Sequence, residues 1–269
     1  MKLNPEQIRA AQLKQLEIMV EVDRICRREG LTYYIIGGTL IGAVRHQGFI
    51  PWDDDVDISM PREDYERFLK HGQKWLPDRL FLQNYKTEKE CYHLFSKIRL
   101  NGTFFKERAA EHLSCHHGIF IDIFPLDRVS RDPKMRRRIC FLIEQIHKII
   151  FQKLKIVRRS GGAVFYFIRA LIGRVCSIRF LGESANWLAR RYKHVKTGWV
   201  SIPLSPINGE ICLITDDQYH KPVEVQFEGV RFFAPANAEA VLREQFGDFM
   251  QLPPEEKRVG GHDIAEFKL

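Results

Sequence analysis

The sequence lacks the features that identify secreted, membrane-spanning and fibrous proteins. Its six cysteines are scattered, with no CxxC pair and no framework spacing, so they predict reduced thiols rather than a disulfide-stapled fold. No stretch of about 18 residues is apolar and free of charge, and we therefore predict no transmembrane helix. Internal repeats and low-complexity linkers are also absent. The first residues show no secretory signal, and we expect a cytoplasmic protein.

What the sequence does contain is typical of a globular chain. Of its 269 residues, 45% are hydrophobic and 28% are charged, which excludes disorder, collagen and coiled coil as descriptions of the whole chain. At roughly 100–200 residues per domain, this length allows one elaborated domain or two small ones.

Strand and helix patterns alternate irregularly along the chain. The predicted helices lie between Asn4 and Gly30, over Thr39–His46, from Pro61 to about Lys70, and over Ile139–Val157, Ala163–Leu181 and Ala238–Phe246. The predicted strands are Leu31–Ile36, Val56–Met60, Leu94–Leu100, Ile119–Phe124, Val223–Phe227 and Val230–Phe233. This order predicts a mixed α/β core with a helical insertion.

Positive charge is concentrated between Arg131 and Lys196. This stretch carries 17 Lys or Arg and three acidic residues, a net charge of +14, which leaves 25 basic and 31 acidic residues, a net charge of −6, elsewhere. Its two predicted helices mix these cations with Phe, Ile and Leu. Such basic amphipathic helices suit an anionic membrane surface better than nucleic acid. The alternative is a helical subdomain with solvated arginines.

Four carboxylates lie within five positions, at Asp53, Asp54, Asp55 and Asp57, where the predicted strand Val56–Met60 begins. Residues two apart in a strand face the same side, so Asp55 and Asp57 project together at ~6–7 Å, and Asp53 extends the row if the strand starts early. Like charges at that distance repel each other. A bound Mg²⁺ removes this penalty. The alternative is an acidic turn with Asp54 as an exposed cap.

A glycine pair precedes these acids. Gly37-Gly38-Thr39 lies between a predicted strand and a short helix, where backbone N–H groups can bind a phosphate. A Gly-Gly pair alone is most often a turn, but one followed within one short helix and loop by an acidic row is more specific. Arg45 and His46 lie between the two motifs and are candidates for holding phosphate oxygens. The alternative for both is a solvated helix end.

A further carboxylate interrupts an apolar strand. Asp122 is flanked on both sides by large apolar residues in Ile119–Phe124, and a carboxylate there needs a metal or a catalytic proton as its partner. We expect Asp127 in the following loop to be a cap or an outer residue of the site.

Two cations alternate on another predicted strand. Lys97 and Arg99 lie two residues apart on Leu94–Leu100, so they point to one side and are candidates for neutralising the leaving phosphate. The alternative is an ordinary solvated sheet face.

Several histidines offer weaker signals. His112, Cys115, His116 and His117 have metal-binding side chains, but their spacing fits no zinc module, and we do not predict a zinc site. For His262, near the end of the sequence, a role at the active site and an exposed tail histidine are both open.

Together these segments resemble the LicD family. The run from Gly38 to Ile58 looks like the signature of that family almost without a break, and Ile121 to Asp127 resembles its second block. Phe227 to Val230 and Phe246 to Pro254 resemble its C-terminal block. The likeness covers most of residues 30–262 and is weakest over the basic stretch.

The resemblance implies an α/β (α+β) fold, a nucleotidyltransferase-like mixed sheet with flanking helices and a basic helical insertion. On this basis we divide the chain into three parts. Residues 1–130 form the catalytic core, residues 131–200 the basic amphipathic helical insertion, and residues 201–269 a C-terminal part that completes the catalytic domain.

The resemblance also implies roles for the site residues. Asp55 and Asp57 would bind Mg²⁺, Asp122 would complete the metal site, and Gly37-Gly38 would face the donor phosphates. Because the gap between the glycines and the acids is longer than in most nucleotidyltransferases, either Asp53 or Asp55 could begin the metal pair, and we choose Asp55.

Members of the family transfer phospho-alcohol groups. Bacterial members move phosphocholine from CDP-choline onto cell-surface glycans or teichoic acid precursors, and fukutin-type relatives move ribitol phosphate from CDP-ribitol. The resemblance therefore implies a Mg²⁺-dependent phosphotransferase with a CDP-linked alcohol donor, phosphocholine first, and a lipid-linked saccharide acceptor. We expect it at the inner face of the cell membrane, peripheral and held to anionic lipid by residues 131–196, with no nucleic acid partner.

Three alternatives to this function remain at the level of the sequence. The transferred group could be ribitol or glycerol phosphate, or the reaction could be nucleotidyl transfer from an NTP to a small molecule. An inactive scaffold is the third alternative. It is disfavoured because Asp55, Asp57 and Asp122 are all present.

Overall fold

The computed structural model describes residues 2–156, 162–205, 213–219 and 221–269. Its α-helices are α1 (Pro5–Glu29), α2 (Gly37–His46), α3 (Arg62–Trp75), α4 (Pro133–Lys153), α5 (Ala163–Val175), α6 (Ile178–Ala189) and α7 (Ala238–Phe246). Its strands are β1 (Tyr34–Ile35), β2 (Asp57–Pro61), β3 (Leu80–Gln83), β4 (Ser96–Leu100), β5 (Phe104–Glu107), β6 (Phe120–Arg128), β7 (Trp199–Ser201), β8 (Ile214–Thr215), β9 (Val223–Phe227), β10 (Val230–Ala234) and β11 (Ile264–Lys268). The predicted α/β class is confirmed.

Helix α1 begins and ends at the two capping residues that the sequence predicted. The Asn4 side chain accepts a hydrogen bond from Gln7 N at 2.8 Å, and the Gln7 side chain accepts one from Asn4 N at 3.1 Å. Gly30 ends the helix with a positive φ of 63°, a conformation that costs glycine little. The apolar stripe of α1 then packs into the main core.

The central sheet is mixed, with strand order β1-β2-β6-β4-β3 and β7 and β8 attached beside the end of β6. Strands β2 and β6 are parallel, and their register places Asp57 beside Asp122. Strands β4 and β6 are antiparallel, and their register places Lys97 on the other side of Asp122. Three charged side chains therefore lie in one row across the sheet.

The structure corrects several predicted boundaries. The predicted helix Ala163–Leu181 is two helices, because Cys176 is extended and the Ser177 side chain caps a new helix by accepting from Phe180 N at 3.1 Å. The predicted helix Ile139–Val157 begins earlier, at Pro133 behind the Asp132 cap, and its predicted end at Val157 lies outside the described residues.

The C-terminal part of the chain packs onto the catalytic core. Strand β11 pairs with β5, and β9 and β10 form the predicted hairpin. The main core contains Phe227, Phe232 and Ile264 together with residues from α1 and the central sheet. Helices α4 and α6 surround a second apolar cluster that includes Ile143 and Leu181. The division at residues 130 and 200 stays a prediction.

No helix in the described ranges is long and apolar enough to cross a membrane.

Candidate functional site

The glycine pair and the acidic segment, residues 53–57, meet where α2 begins. Gly37 is the first residue of α2 and has a positive φ of 56°. A Cβ atom at Gly37 would lie 3.2 Å from Asp57 Oδ2, and one at Gly38 would lie 2.4 Å from Asp53 Oδ2. Thr39 Oγ1 accepts a hydrogen bond from Asp57 N at 2.9 Å. The residues of this turn thus let two carboxylates approach the backbone closely.

Helix α1 holds the backbone of the acidic segment through two glutamine side chains. Gln12 Nε2 donates to the backbone oxygens of Ile50, at 3.1 Å, and Asp53, at 2.9 Å. Gln15 Nε2 donates to the backbone oxygen of Asp54 at 2.8 Å. Neither glutamine was predicted from the sequence. A signal was present, because Gln15 occupies a position on the otherwise apolar stripe of α1.

Asp54 is an internal anchor of the site. Its side chain is 2% exposed, so the alternative of an exposed cap is wrong. It accepts hydrogen bonds from the backbone N–H groups of Gly261 and His262, both at 3.1 Å, and lies 2.9 Å from His262 Nδ1. Burial alone would raise the pKa of Asp54, but the bonds from His262 lower it. The structure therefore brings His262 to the acidic segment.

Lys97 and Asp122 form a buried ion pair. Lys97 Nζ lies 2.7 Å from Asp122 Oδ1 and donates a hydrogen bond to Oδ2 at 3.0 Å. The same ammonium lies 3.5 Å from the centre of the Phe120 ring. Since the Lys97 side chain is only 2% exposed, a solvated sheet face is excluded.

Arg99 lies on the same face but already has protein partners. Its Nε donates to Gln83 Oε1 at 2.7 Å, and its Nη1 donates to the Gly118 backbone oxygen at 2.8 Å. The guanidinium also stacks over Phe120. Its contribution to donor binding stays a prediction.

The carboxylates of the site repel one another. Burial, followed by the charges of Asp55 and Asp54, raises the pKa of Asp53 to about 8. Burial, followed by the charges of Asp55 and Asp122, raises the pKa of Asp57 well above its usual value. Burial also raises the pKa of Asp55 and of Asp122, the latter against the opposing charge of Lys97. The cluster therefore favours an added cation.

The donor set fits a hard divalent cation such as Mg²⁺, which prefers carboxylate oxygens. One ligand atom from each of Asp54, Asp55 and His262 lies within 4.8 Å of the others. No other three His, Cys, Asp or Glu residues converge this closely in the part of the chain that the structure describes. Because Asp54 and His262 already bond to each other, Asp55 is the member left for a metal. The roles of Asp55, Asp57 and Asp122 as metal ligands stay predictions.

Arg45 and His46 lie at the far end of α2. At 1.5 Å per residue, Arg45 is about 12 Å along the helix axis from Gly37. Arg45 Nη1 donates a hydrogen bond to the backbone oxygen of Phe249 in the C-terminal part. The structure does not bring this end of α2 to the carboxylates.

The other candidate residues have separate partners. His112 Nε2 lies 2.8 Å from the Leu154 backbone oxygen, His116 Nε2 lies 2.9 Å from Asn101 Oδ1, and His117 Nε2 lies 3.0 Å from the Leu113 backbone oxygen. These histidines face different parts of the protein.

Asp127 lies in strand β6 and not in a loop, which corrects our expectation. It accepts a hydrogen bond from Arg62 Nε at 2.7 Å, and both side chains are buried. Arg62 also donates to Asn186 Oδ1 on α6, so the ion pair joins the sheet to the helical insertion.

Known proteins similar to this chain include most of the site residues in the matched regions. Residues 30–156 match the family model described as LicD/FKTN/FKRP, nucleotidyltransferase domain. Lipopolysaccharide cholinephosphotransferase LicD of Haemophilus influenzae is 27% identical over 263 residues, which are 95% of this chain and 96% of that protein. Human ribitol 5-phosphate transferase FKRP is 51% identical over 35 residues, which are 13% of this chain and 7% of that protein.

Proposed function

We propose that this chain, a member of the LicD family, transfers a phospho-alcohol group from a CDP-linked donor to a glycan hydroxyl. The leading donor is CDP-choline, and the leading acceptors are cell-surface glycan or teichoic acid precursors. The observation that carries this proposal is the close approach of Asp53 and Asp57 to the Gly37-Gly38 turn, with Asp122 beside Asp57 in the sheet and Lys97 beside Asp122. Phosphoryl transfer needs such positioning and charge neutralisation more than it needs a covalent intermediate.

In this proposal Asp55, Asp57 and Asp122 hold Mg²⁺. When bound, the ion neutralises the donor diphosphate and favours departure of the leaving group. The backbone at Gly37 and Gly38 binds the donor phosphates at the N-terminus of α2, where helix N–H groups lack partners.

The reaction then breaks one P–O bond and forms another. The acceptor oxygen attacks the phosphorus that carries the alcohol, the bond from that phosphorus to the bridging oxygen breaks, and CMP leaves with that oxygen. Asp122 orients the acceptor hydroxyl and accepts its proton as the new P–O bond forms. Lys97 holds Asp122 in place and neutralises part of the charge.

A second candidate is the transfer of ribitol or glycerol phosphate from its CDP donor. The observation that favours it is the short but similar segment of ribitol 5-phosphate transferase FKRP. Both candidates require the same carboxylates, and they differ only in the alcohol.

We place the acceptor on a lipid carrier at the cytoplasmic side of the membrane. The net charge of +14 between residues 131 and 196 supports contact with an anionic membrane surface. No part of this proposal involves nucleic acid.

The test is release of CMP from CDP-choline, CDP-ribitol and CDP-glycerol, with Mg²⁺ and a lipid-linked glycan. We expect release from one donor, and we expect Asp57→Asn to reduce it by roughly 10³-fold or more, since several kcal/mol of charge stabilisation are lost. Asp78→Asn, which changes an exposed acid on the surface, is the matched control and should leave the rate unchanged.

Two results would contradict the proposal. One is release of pyrophosphate from an NTP without release of CMP from any donor, which would establish nucleotidyl transfer instead. The other is equal CMP release by wild type and Asp57→Asn.

A further inference from the structure

Helix α5 turns its large apolar residues away from the protein. Phe167 is 72% exposed and Val175 is 80% exposed, values far above those of core residues. We call the large exposed apolar residues of this helix the outer face of α5: Val164, Phe165, Phe167, Ile168, Leu171, Ile172 and Val175. At 100° per residue these side chains cover about 160° of the helix circumference. An apolar surface this continuous is unusual on a protein surrounded by water.

The side of α5 that faces the protein is polar or small. Arg169 is buried, and its Nε and Nη2 donate to Gln145 Oε1 on α4 at 3.1 and 2.6 Å. Lys153 Nζ donates to the Gly173 backbone oxygen at 2.5 Å, and Gly173 is buried against α4. A helix on a water-exposed surface shows the opposite arrangement, with apolar residues inside and charges outside. The reversed pattern indicates apolar surroundings outside α5.

The dimensions of α5 fit a position within a membrane surface. Its 13 residues span about 20 Å, which is too short to cross a hydrocarbon core of about 30 Å. A short helix with a wide apolar face lies instead parallel to the bilayer, with that face between headgroups and acyl chains.

The charge around α5 favours lipid over a second copy of the chain. Arginines of the helical insertion are exposed and bond to no acidic side chain in the described ranges; among them are Arg137, Arg138, Arg174 and Arg179. Two copies meeting through α5 would bring two stretches of net charge +14 together, and these would repel each other. Anionic lipid headgroups would attract the same cations.

We propose that the outer face of α5 inserts into the surface of a membrane that contains anionic lipid. This extends the membrane contact in the proposed function, on which it rests, from attraction of charges to burial of specific apolar side chains. Attraction alone would fade at high salt, whereas burial of apolar side chains persists.

The test uses the full chain and flotation with phosphatidylcholine vesicles, with and without about 30% phosphatidylglycerol. We expect strong binding to the anionic vesicles, with a residual part that survives high salt. The double variant Phe167→Ser/Leu171→Ser should bind at least about tenfold more weakly, because two large apolar side chains no longer enter the lipid. The matched control is Leu13→Ser/Val20→Ser, which changes two exposed apolar residues of α1 and should bind as wild type does.

Circular dichroism and thermal unfolding check that all the variants are folded. Equal vesicle binding by wild type and the α5 variant would overturn the inference. A second result would also overturn it: wild type sediments as a dimer, the α5 variant sediments as a monomer, and neither protein binds vesicles. CMP release with a water-soluble acceptor is measured in parallel and should be unchanged in the α5 variant. If it is absent from wild type as well, the proposed function fails, while the vesicle result still decides the inference.

Discussion

Asp57 is the residue whose charge, useful for binding a cation, most directly opposes the stability of the folded protein. Burial raises its pKa well above the usual value, and the charges of Asp55 and Asp122 raise it further. The folded state therefore binds a proton more tightly than the unfolded state does, and this contribution to stability is lost as the pH rises through the pKa of the folded state. Near neutral pH the carboxylate weakens the fold unless a cation lies beside it.

We predict that Asp57→Asn stabilises the protein when EDTA is present. Near pH 8 its free energy of unfolding should exceed that of wild type by about 1 kcal/mol or more, because one repelling charge is gone, and the difference should shrink towards pH 4. Mg²⁺ should stabilise wild type and not the variant. Urea unfolding at several pH values, with EDTA or Mg²⁺, measures both effects. Lower stability of Asp57→Asn at pH 8 in EDTA would contradict this account.

At the scale of secondary-structure elements, the sequence predicted those set by neighbouring residues better than those that depend on distant parts of the chain. Asn4 and Gly30 predicted the two ends of α1, because capping depends on residues next to the helix in sequence. Strands β2 and β6 were predicted from apolar residues around Asp57 and Asp122. Strands β5 and β11 were not predicted, because the strand that pairs with each of them lies more than 150 residues away in the sequence. The break between α5 and α6 was missed because apolar residues continue on both sides of Ser177.

The start of α2 offers a test at this scale. In Gly38→Ala the new Cβ would lie 2.4 Å from Asp53 Oδ2, so the carboxylate must move. We predict that CMP release falls at least about 100-fold. We expect the free energy of unfolding to change by no more than about 1–2 kcal/mol, since alanine favours the helix by up to about 1 kcal/mol and offsets part of the strain. Enzyme assay and urea unfolding of the same preparation separate the two effects.

Gly162→Ala is the control for this prediction. Gly162 also lies at the start of a helix and has a negative φ, and a Cβ atom added there would meet no other atom within 4 Å. The variant should release CMP at the wild-type rate. If Gly38→Ala also kept the wild-type rate, close approach of Asp53 to the glycine backbone would be irrelevant to catalysis.

At the scale of the whole molecule, the acidic segment is held by parts of the chain that are far apart in sequence. Helix α1 supports it through Gln12 and Gln15, and the turn before β11 supports it through His262. Asp54 and His262 are 208 positions apart, so the sequence left the role of His262 open while it predicted the carboxylates beside Gly38. Pairing of β11 with β5 brings His262 to the site and places it against Phe105.

His262→Phe tests whether this long-range contact positions the acidic segment. Phenylalanine can keep the packing against Phe105 and Phe120 but cannot bond to Asp54. We predict a loss of about 1–3 kcal/mol in the free energy of unfolding, because a buried carboxylate loses a donor, and a fall in CMP release of at least about tenfold. His116→Phe is the matched control, because His116 also stacks on a ring and bonds to a side-chain oxygen, but away from the carboxylates. The control should keep the wild-type rate.

The pH dependence of this loss has a definite sign. Burial alone would lower the pKa of His262, but the hydrogen bond and charge of Asp54 outweigh burial and raise it. The protonated form is therefore favoured in the folded state, and its contribution is complete below about pH 6.5 and disappears as the pH rises through the pKa of the folded state. The stability deficit of His262→Phe should accordingly be larger at pH 6 than at pH 9, as measured by urea unfolding. A deficit that does not change with pH would mean that His262 supports the acidic segment by packing alone, and the contact with Asp54 would then have no electrostatic part in holding the site together.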